Sequence, residues 1–339
     1  MHRKLLVTGG AGFIGSNFIH YWLEQFPDDA IINLDLLTYA GNVSNLASIE
    51  SDSRYTFVQG DIRDPKIVTD LMVGVTTVVH FAAETHVDRS VLDPSSFVTT
   101  NVLGTQVLLE AARTHEVAHF HHISTDEVFG SLKLQETTQF TEDSPYDPRS
   151  PYSASKAGSD HLVRAYGETY GLPYTISNCS NNYGPYQFPE KLIPLAITNL
   201  LENKRVPVYG AGNQVRDWLY VVDHCRAVAD IITAGPTQKT YLIGGLRQDV
   251  SNLSVIQLLL SLMNISEEMI EFVPDRPGHD VRYSVDWSGI HTTLGWEPSV
   301  QLAEGLTQTI RWYRENEAIW KPLKARAQKF FTKNYDQRT

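Results

Sequence analysis

Residues 4–15 read Lys4-Leu5-Leu6-Val7-Thr8-Gly9-Gly10-Ala11-Gly12-Phe13-Ile14-Gly15, and this stretch decides the fold. Leu5 to Thr8 is a short apolar run of the kind that makes a buried strand. Gly9, Gly12 and Gly15 follow, with two residues between each pair. Ile14, Phe18, Trp22 and Phe26 then recur every four residues, on one face of a helix. Strand, glycine turn and helix in this order form a phosphate cradle. Glycine permits the tight turn, lets backbone approach a pyrophosphate and lets helix close on strand; the helix N-terminus offers free N–H groups. A second apolar run, Ile31 to Leu34, ends in Asp35, 20 residues after Gly15. A carboxylate there accepts hydrogen bonds from the adenosine ribose hydroxyls and repels a 2′-phosphate. No Arg follows directly to favour that phosphate, so the expected cofactor is NAD rather than NADP.

Working outward, Thr56–Val58, Thr77–Phe81, Phe120–Ser124 and Thr175–Ser177 read as further strands. Val98–Ala112 and Tyr152–Tyr170 read as helices. Apolar strands alternating with helices predict an α/β fold, a doubly wound parallel (Rossmann) sheet with right-handed crossovers. After Asn181 the alternation weakens, and Pro185, Pro189, Pro194 and Pro207 punctuate short segments. We therefore expect residues 1–180 to form the dinucleotide-binding domain, with 214–240 returning to it through a helix over Val221–Ala234. Residues 181–213 and 241–339 are expected to form a second, smaller α/β substrate region. The chain shows no internal repeat, and its tail from Lys321 is basic and polar around Phe330-Phe331.

Composition narrows the class. With 28 Lys and Arg against 39 Asp and Glu, the net charge is −11, which disfavours nucleic acid as a general partner. One small anion needs only a local basic pocket. Cys179 and Cys225 are the two cysteines, too few for a disulfide framework, and they fit a reducing compartment. No apolar run approaches a membrane span, and the N-terminal run is too short for a signal-peptide core. The expected setting is cytoplasmic, with no membrane partner.

Two groups of residues carry chemistry. Tyr152 and Lys156 stand one helical turn apart, so a phenol and an ammonium share a face. A nearby ammonium lowers the phenol's pKa, and a phenol so tuned takes a proton from a sugar hydroxyl while hydride leaves for nicotinamide. At the end of the Phe120–Ser124 strand stands Thr125-Asp126-Glu127. Ligands of open α/β sheets bind outside the carboxyl ends of strands, so these side chains should reach the cleft. Two adjacent carboxyls exceed what hydride transfer requires, and a pair with different environments supplies one acid and one base. That equipment removes water next to a carbonyl.

These features resemble the extended short-chain dehydrogenase/reductase family, and within it the nucleotide-sugar 4,6-dehydratases. The resemblance rests on the glycine fingerprint, on Tyr152 and Lys156, on Thr125-Asp126-Glu127, and on five longer segments. These are Asp35 to Asn42, Ala82 to Ser90, Asn178 to Pro185, Arg216-Asp217-Trp218, and Asp275 to Asp280. It implies NAD-dependent dehydration of a nucleoside-diphosphate glucose, first dTDP-glucose, to the 4-keto-6-deoxy sugar. Thr125 would orient the 4-hydroxyl, Tyr152 would deprotonate it, Lys156 would tune Tyr152, Glu127 would take the C5 proton and Asp126 would protonate the departing C6 hydroxyl. The cofactor positions implied are Gly9, Gly12, Phe13, Ile14, Gly15, Asp35, Leu36, Leu37, Thr38, Asp61, Ile62, Ala82, Ala83, Thr100 and Asn182, with Tyr152 and Lys156. The substrate positions implied are Thr85, Thr125, Asn181, Lys191, Leu192, Pro207, Tyr209, Arg216, Asn252, Arg276 and His279. Arg216 and Arg276 also make sense by charge, because an acidic protein that binds a diphosphate needs local bidentate cations.

Leu36, Phe129 and Leu242 depart from the pattern, which expects Lys, Tyr and Asn there, and the Glu127–Tyr152 segment is short. The resemblance also implies a homodimer paired through helices 98–112 and 152–170. His115, His119, His121 and His122 crowd one strand but lack ligand spacing, so no metal is expected. Three alternatives stay open: an NAD-dependent nucleotide-sugar epimerase, the same dehydration acting on UDP-glucose, and a non-catalytic NAD-binding module. Asp126 and Glu127 weigh against epimerisation, and intact Tyr152, Lys156 and Thr125 weigh against the non-catalytic reading.

Overall fold

The computed structural model describes residues 2–245, 250–275 and 280–335, with side chains described as far as Lys329. Its centre is a seven-stranded sheet. The strands are β1 (Lys4–Thr8), β2 (Ala30–Asp35), β3 (Tyr55–Gln59), β4 (Thr77–His80), β5 (His119–Thr125), β6 (Tyr174–Cys179) and β7 (Lys239–Ile243). They lie in the order β7-β6-β5-β4-β1-β2-β3, and every pair is parallel. Leu5 pairs with both Ile31 and Thr77, which puts β1 at the centre. The chain winds outward one way from β1 and returns to the other side at β4, so the crevice between their carboxyl ends is the switch point where such sheets bind ligands.

Strand periodicity explains the layering. Leu5 and Val7 face one side of the sheet and Leu6 the other. The Leu5 side is covered by α1 (Phe13–Gln25), through Phe18 and Trp22, and by Val221–Ala234, through Cys225 and Val228. The Leu6 side is covered by α2 (Pro65–Leu71), α3 (Gly104–Thr114) and α4 (Pro151–Tyr170). The helix over Val221–Ala234, α5, lies against the sheet.

One expectation needs correction. A domain boundary at residue 241 would cut through β7, because Lys239–Ile243 pairs in register with Thr175–Cys179. The stretch over 98–112 is also not one regular helix: a π-helical turn, Val98–Leu103, leads into α3.

A second core lies beyond the carboxyl ends of the strands. It joins helices Leu192–Leu201, Asn252–Met263 and Leu302–Glu315 through residues such as Ile197, Ile256, Leu260 and Leu306. A helix over Glu317–Tyr335 closes it with Trp320, so the basic tail is docked at least that far. Lys324 is buried there and donates to Glu202 at 3.0 Å. Trp287, Trp296 and Trp320 are all buried, as packing residues are.

Candidate active site

The glycine turn is built as its spacing demands. Gly9 adopts φ +71°, and a Cβ on it would come within 2.6 Å of the Ala82 backbone. A Cβ on Gly15 would come within 2.4 Å of the Gly9 carbonyl oxygen. Gly12 differs: its nearest neighbour would be the Gly9 oxygen at 3.2 Å, leaving open space over the start of α1. No side chain caps that helix, so its first N–H groups face the open side. This cradle fits a pyrophosphate.

Asp35 is buried, and burial pushes its carboxyl up. It accepts from the Ala11 N–H at 2.9 Å and the Leu37 N–H at 2.8 Å. The carboxylate therefore braces the glycine turn, and its remaining lone pairs stay available to ribose hydroxyls. Leu36 and Thr38 are exposed at the rim, while Ile62 is buried beneath Gly104. Asp61 is gripped by the Arg63 guanidinium at 2.6 Å. Ala82 and Ala83 follow β4, and the Ala82 N–H donates to Thr8 Oγ1. Thr100 lies in the π-helical turn. Asn182 turns its side chain inward, donating to the Ser180 carbonyl at 3.0 Å, with its Oδ1 2.9 Å from Nδ1 of His224.

The acid–base groups converge where β5 meets α4. Ser150 caps α4 in a reciprocal box with Ser153, and Pro151 occupies the first turn, so Tyr152 and Lys156 are set from the helix start. Thr125, the last residue of β5, accepts from the Glu127 N–H at 3.3 Å and donates to Asp126 at 3.4 Å, and its hydroxyl stands close enough to the Tyr152 phenol to oppose the upward push on it. Asp126 is wholly buried; burial first, then the neighbouring charges of Glu127 and Asp217, push its carboxyl well above the ordinary range. Both causes favour its protonated form. Glu127 is only partly buried.

Tyr152 corrects an expectation. Burial and the Glu127 charge push its phenol well above 10. Lys156 instead donates to the Ile123 carbonyl at 2.7 Å and lies 3.3 Å from Nε2 of His122. Burial pulls the Lys156 ammonium down to about 8.

On the substrate side, Arg216 is buried, donates to the Val215 and Asp280 carbonyls and lies 4.4 Å over the Tyr283 ring. Its charge opposes the upward push on Asp126, which places it beside the acid–base pair. Lys191 reaches the Thr85 carbonyl at 3.4 Å, tying together two expected substrate positions. Asn181 and Asn252 each bury an amide oxygen that has no hydrogen-bond partner among the described residues. Leu192 opens a helix of the second core, and Pro207 and Tyr209 lie on the strand Val206–Tyr209. Arg276 and His279 lie outside the described residues.

A family model described as GDP-mannose 4,6 dehydratase matches residues 6–309. The chain is 52% identical to dTDP-glucose 4,6-dehydratase of Mycobacterium tuberculosis over 95% of this chain and 96% of that one. The chain belongs to the dTDP-glucose 4,6-dehydratase family. Among solved structures, dTDP-glucose 4,6-dehydratase of Streptomyces venezuelae, with NAD bound, superposes with a TM-score of 0.91 at 50% identity, covering 94% of this chain and 99% of that one. UDP-glucose 4-epimerase of Thermotoga maritima also shares the fold, with a TM-score of 0.85, but at 29% identity, covering 93% and 99%. The dehydratase family thus shares its scaffold with an epimerase and differs in what stands on it.

Several residues at the site escaped the sequence reading. Asn101 donates to the Glu84 carbonyl and to Ser155 Oγ, pinning the loop after β4 to α4. Asp160, His122, Tyr146 and Asn178 form a buried network behind Lys156. Asp160 carried a signal, because it lies four residues after Lys156 on the same helix face. The signal for Asn101 and Asn178 is tertiary only.

Proposed function

We propose that this protein converts dTDP-glucose to the dTDP-4-keto-6-deoxy sugar, with NAD as a cofactor that is restored within each turnover. The observation that carries this reading is the Asp126–Glu127 pair: one carboxyl is buried and holds its proton, and its neighbour is half-buried at the same strand end. Epimerisation at C4 has no use for such a pair. Held by the cradle at Gly12 and by Asp35, NAD would supply the hydride acceptor for C4 and the hydride donor for C6. Thr125 orients the 4-hydroxyl, and Tyr152, once ionised, takes its proton. The C4 ketone acidifies C5–H, which Glu127 removes. Asp126 then gives its proton to the C6 hydroxyl, which leaves as water, and the hydride taken from C4 would be returned to C6 as Glu127 returns a proton to C5.

The other positions take their roles from the same pose. Gly12, Phe13, Ile14 and Asp35 hold the cofactor, and Arg216, Lys191, Asn181 and Asn252 hold the nucleotide diphosphate and base. The thymine nucleotide follows the relatives' substrate. We further propose a cytoplasmic homodimer; Val98 and Leu103, 54% and 48% exposed on the π-helical turn, support it. Both cysteines are buried and free, which suits a reducing setting.

Assaying dTDP-glucose and UDP-glucose side by side tests the reading. A 4-keto sugar absorbing in alkali should form from dTDP-glucose at the higher kcat/KM. A C4 epimer without that band would make the chain an epimerase.

A further inference from the structure

Tyr152, Lys156, Asp160 and Arg164 succeed one another at four-residue steps, so phenol, ammonium, carboxylate and guanidinium form one stripe along α4. Tyr152, Lys156 and Asp160 are buried. Asp160 faces away from the cleft into a closed network. Ser124 and Tyr146 each donate to its Oδ2 at 2.8 Å, and Asn178 donates at 3.3 Å. Its Oδ1 lies 3.3 Å from Nε2 of His122, and the same nitrogen lies 3.3 Å from Nζ of Lys156.

The ring is a spacer between a cation and an anion. Burial pulls His122 down to about 4, so it is neutral near pH 7. Burial alone would push the Asp160 carboxyl up, but the His122 contact, the Lys156 charge and the Tyr146 hydroxyl hold it below the usual range. A carboxylate this deep is costly unless it is paired, and Lys156 is the cation that shares the pocket.

We propose that Asp160 is the positioning counter-ion of Lys156: its charge, in the same buried pocket behind His122, keeps the ammonium protonated without touching substrate. The proposal rests on Lys156 taking part with Tyr152 in sugar oxidation, as the family resemblance implies. The direction of the effect follows from charge. Burial drives Lys156 toward deprotonation, and Asp160 opposes it. Arg164 works the other way. It donates to the Tyr146 hydroxyl at 2.8 Å, and its guanidinium is a like charge to Lys156.

The other groups around the pair do not titrate near pH 8. His80 on β4, with its ring centroid 5.1 Å from that of His122, is held neutral by burial. Burial pushes Cys179 on β6 up to about 12 and pushes the phenols of Tyr152 and Tyr146 up as well.

The test is the pH dependence of sugar oxidation by the holoenzyme in a single turnover with dTDP-glucose, between about pH 6 and about pH 10. Loss of the Lys156 proton should set an alkaline limb. Asp160→Asn should move that limb down by about one pH unit or more, as removal of a close opposite charge does, with KM little changed. Asp160→Glu should recover part of the shift. Limbs that coincide in wild type and Asp160→Asn, at whatever amplitude, would overturn the proposal. If Asp160→Asn does not fold, Asp160→Glu decides alone: a limb moved downward by the displaced carboxylate supports the counter-ion role, and a limb that coincides with wild type refutes it. Nitrogen-15 resonances of labelled lysine report the Lys156 ionisation without substrate. A protein inactive on dTDP-glucose would thus overturn the functional reading and still leave this one open to measurement.

Discussion

Asp126 and Glu127 are adjacent in sequence and unequal in surroundings, and that inequality gives each its job. Asp126 keeps its proton because it is wholly buried next to a second carboxylate. Glu127 lies closer to solvent and its charge reaches both Asp126 and Tyr152. Glu127→Gln keeps the shape and loses the base. It should still oxidise the sugar at C4 in a single turnover, while elimination slows by ~10²–10⁴, the usual worth of a positioned base. The measurement is bound 4-keto-glucose nucleotide, which should accumulate, with exchange of the C5 proton into deuterated solvent falling in parallel. Tyr152→Phe should abolish oxidation from the start. Should Glu127→Gln fail at oxidation yet exchange C5 normally on a supplied 4-keto sugar, the base is elsewhere. In the proposed reading Asp35 has two tasks, since besides meeting the ribose it accepts from the Ala11 and Leu37 N–H groups. Asp35→Ala should therefore narrow the preference for NAD over NADP by weakening NAD as well as by admitting the 2′-phosphate. Titration of both cofactors checks this; equal affinities in the wild type would refute the assignment of Asp35.

The strand–turn–helix unit at the N-terminus separates two kinds of glycine. Gly15→Ala would drive a Cβ to 2.4 Å from the Gly9 oxygen and 2.8 Å from Gly10 Cα, so β1 and α1 would have to part. Gly12→Ala would meet one oxygen at 3.2 Å and otherwise fill the cradle. We expect Gly15→Ala to lower Tm sharply, and Gly12→Ala to leave Tm nearly unchanged while reducing bound NAD at least tenfold. If Gly12→Ala retains NAD, the cradle lies elsewhere. This unit was legible because glycine spacing, apolar run and helical period agree within about thirty residues. The seventh strand was not. Lys239-Thr240-Tyr241-Leu242-Ile243 is short and half polar, and it reaches the sheet only after Leu192–Tyr220 has contributed to the second core. Only its pairing with β6 identifies it. The departures at Phe129 and Leu242 also become intelligible in three dimensions. They share one apolar cluster with Phe140 and Val285, and Phe129 stacks on Phe140 with ring centroids 5.2 Å apart. Tyr152 shows the converse limit, since its spacing from Lys156 was legible and its burial was not.

At the scale of the whole molecule, the packing of the sheet fixes how the protein meets acid. Five histidines are buried around its centre: His80, His119, His121, His122 and His224. Each has a polar partner, and burial favours the neutral ring in each: His119 and His121 both meet Thr175, and His224 meets Asn182. Burial pulls His119 and His122 down to about 4 and His224 to about 3. The sign follows from proton counting. Below the ordinary histidine value the unfolded chain binds protons that the folded chain refuses, so stability falls as pH drops through 6.5 and goes on falling until the folded value is reached. Above that point these groups contribute no pH dependence. Buried carboxyls such as Asp126 and Glu190, which are pushed up, oppose the trend, so a single histidine is best isolated by difference. His224, whose shift comes from burial alone, is the clean case. Between about pH 7.5 and about pH 5 it should cost the fold about 2 kcal/mol, since each pH unit of proton imbalance is worth about 1.4 kcal/mol. His224→Gln does not titrate. Urea unfolding should show it less stable than wild type near neutrality, by the loss of a buried hydrogen bond, with the gap narrowing by about 2 kcal/mol at the lower pH. A gap that stays constant across that interval would mean that His224 is accessible to protons in the folded state.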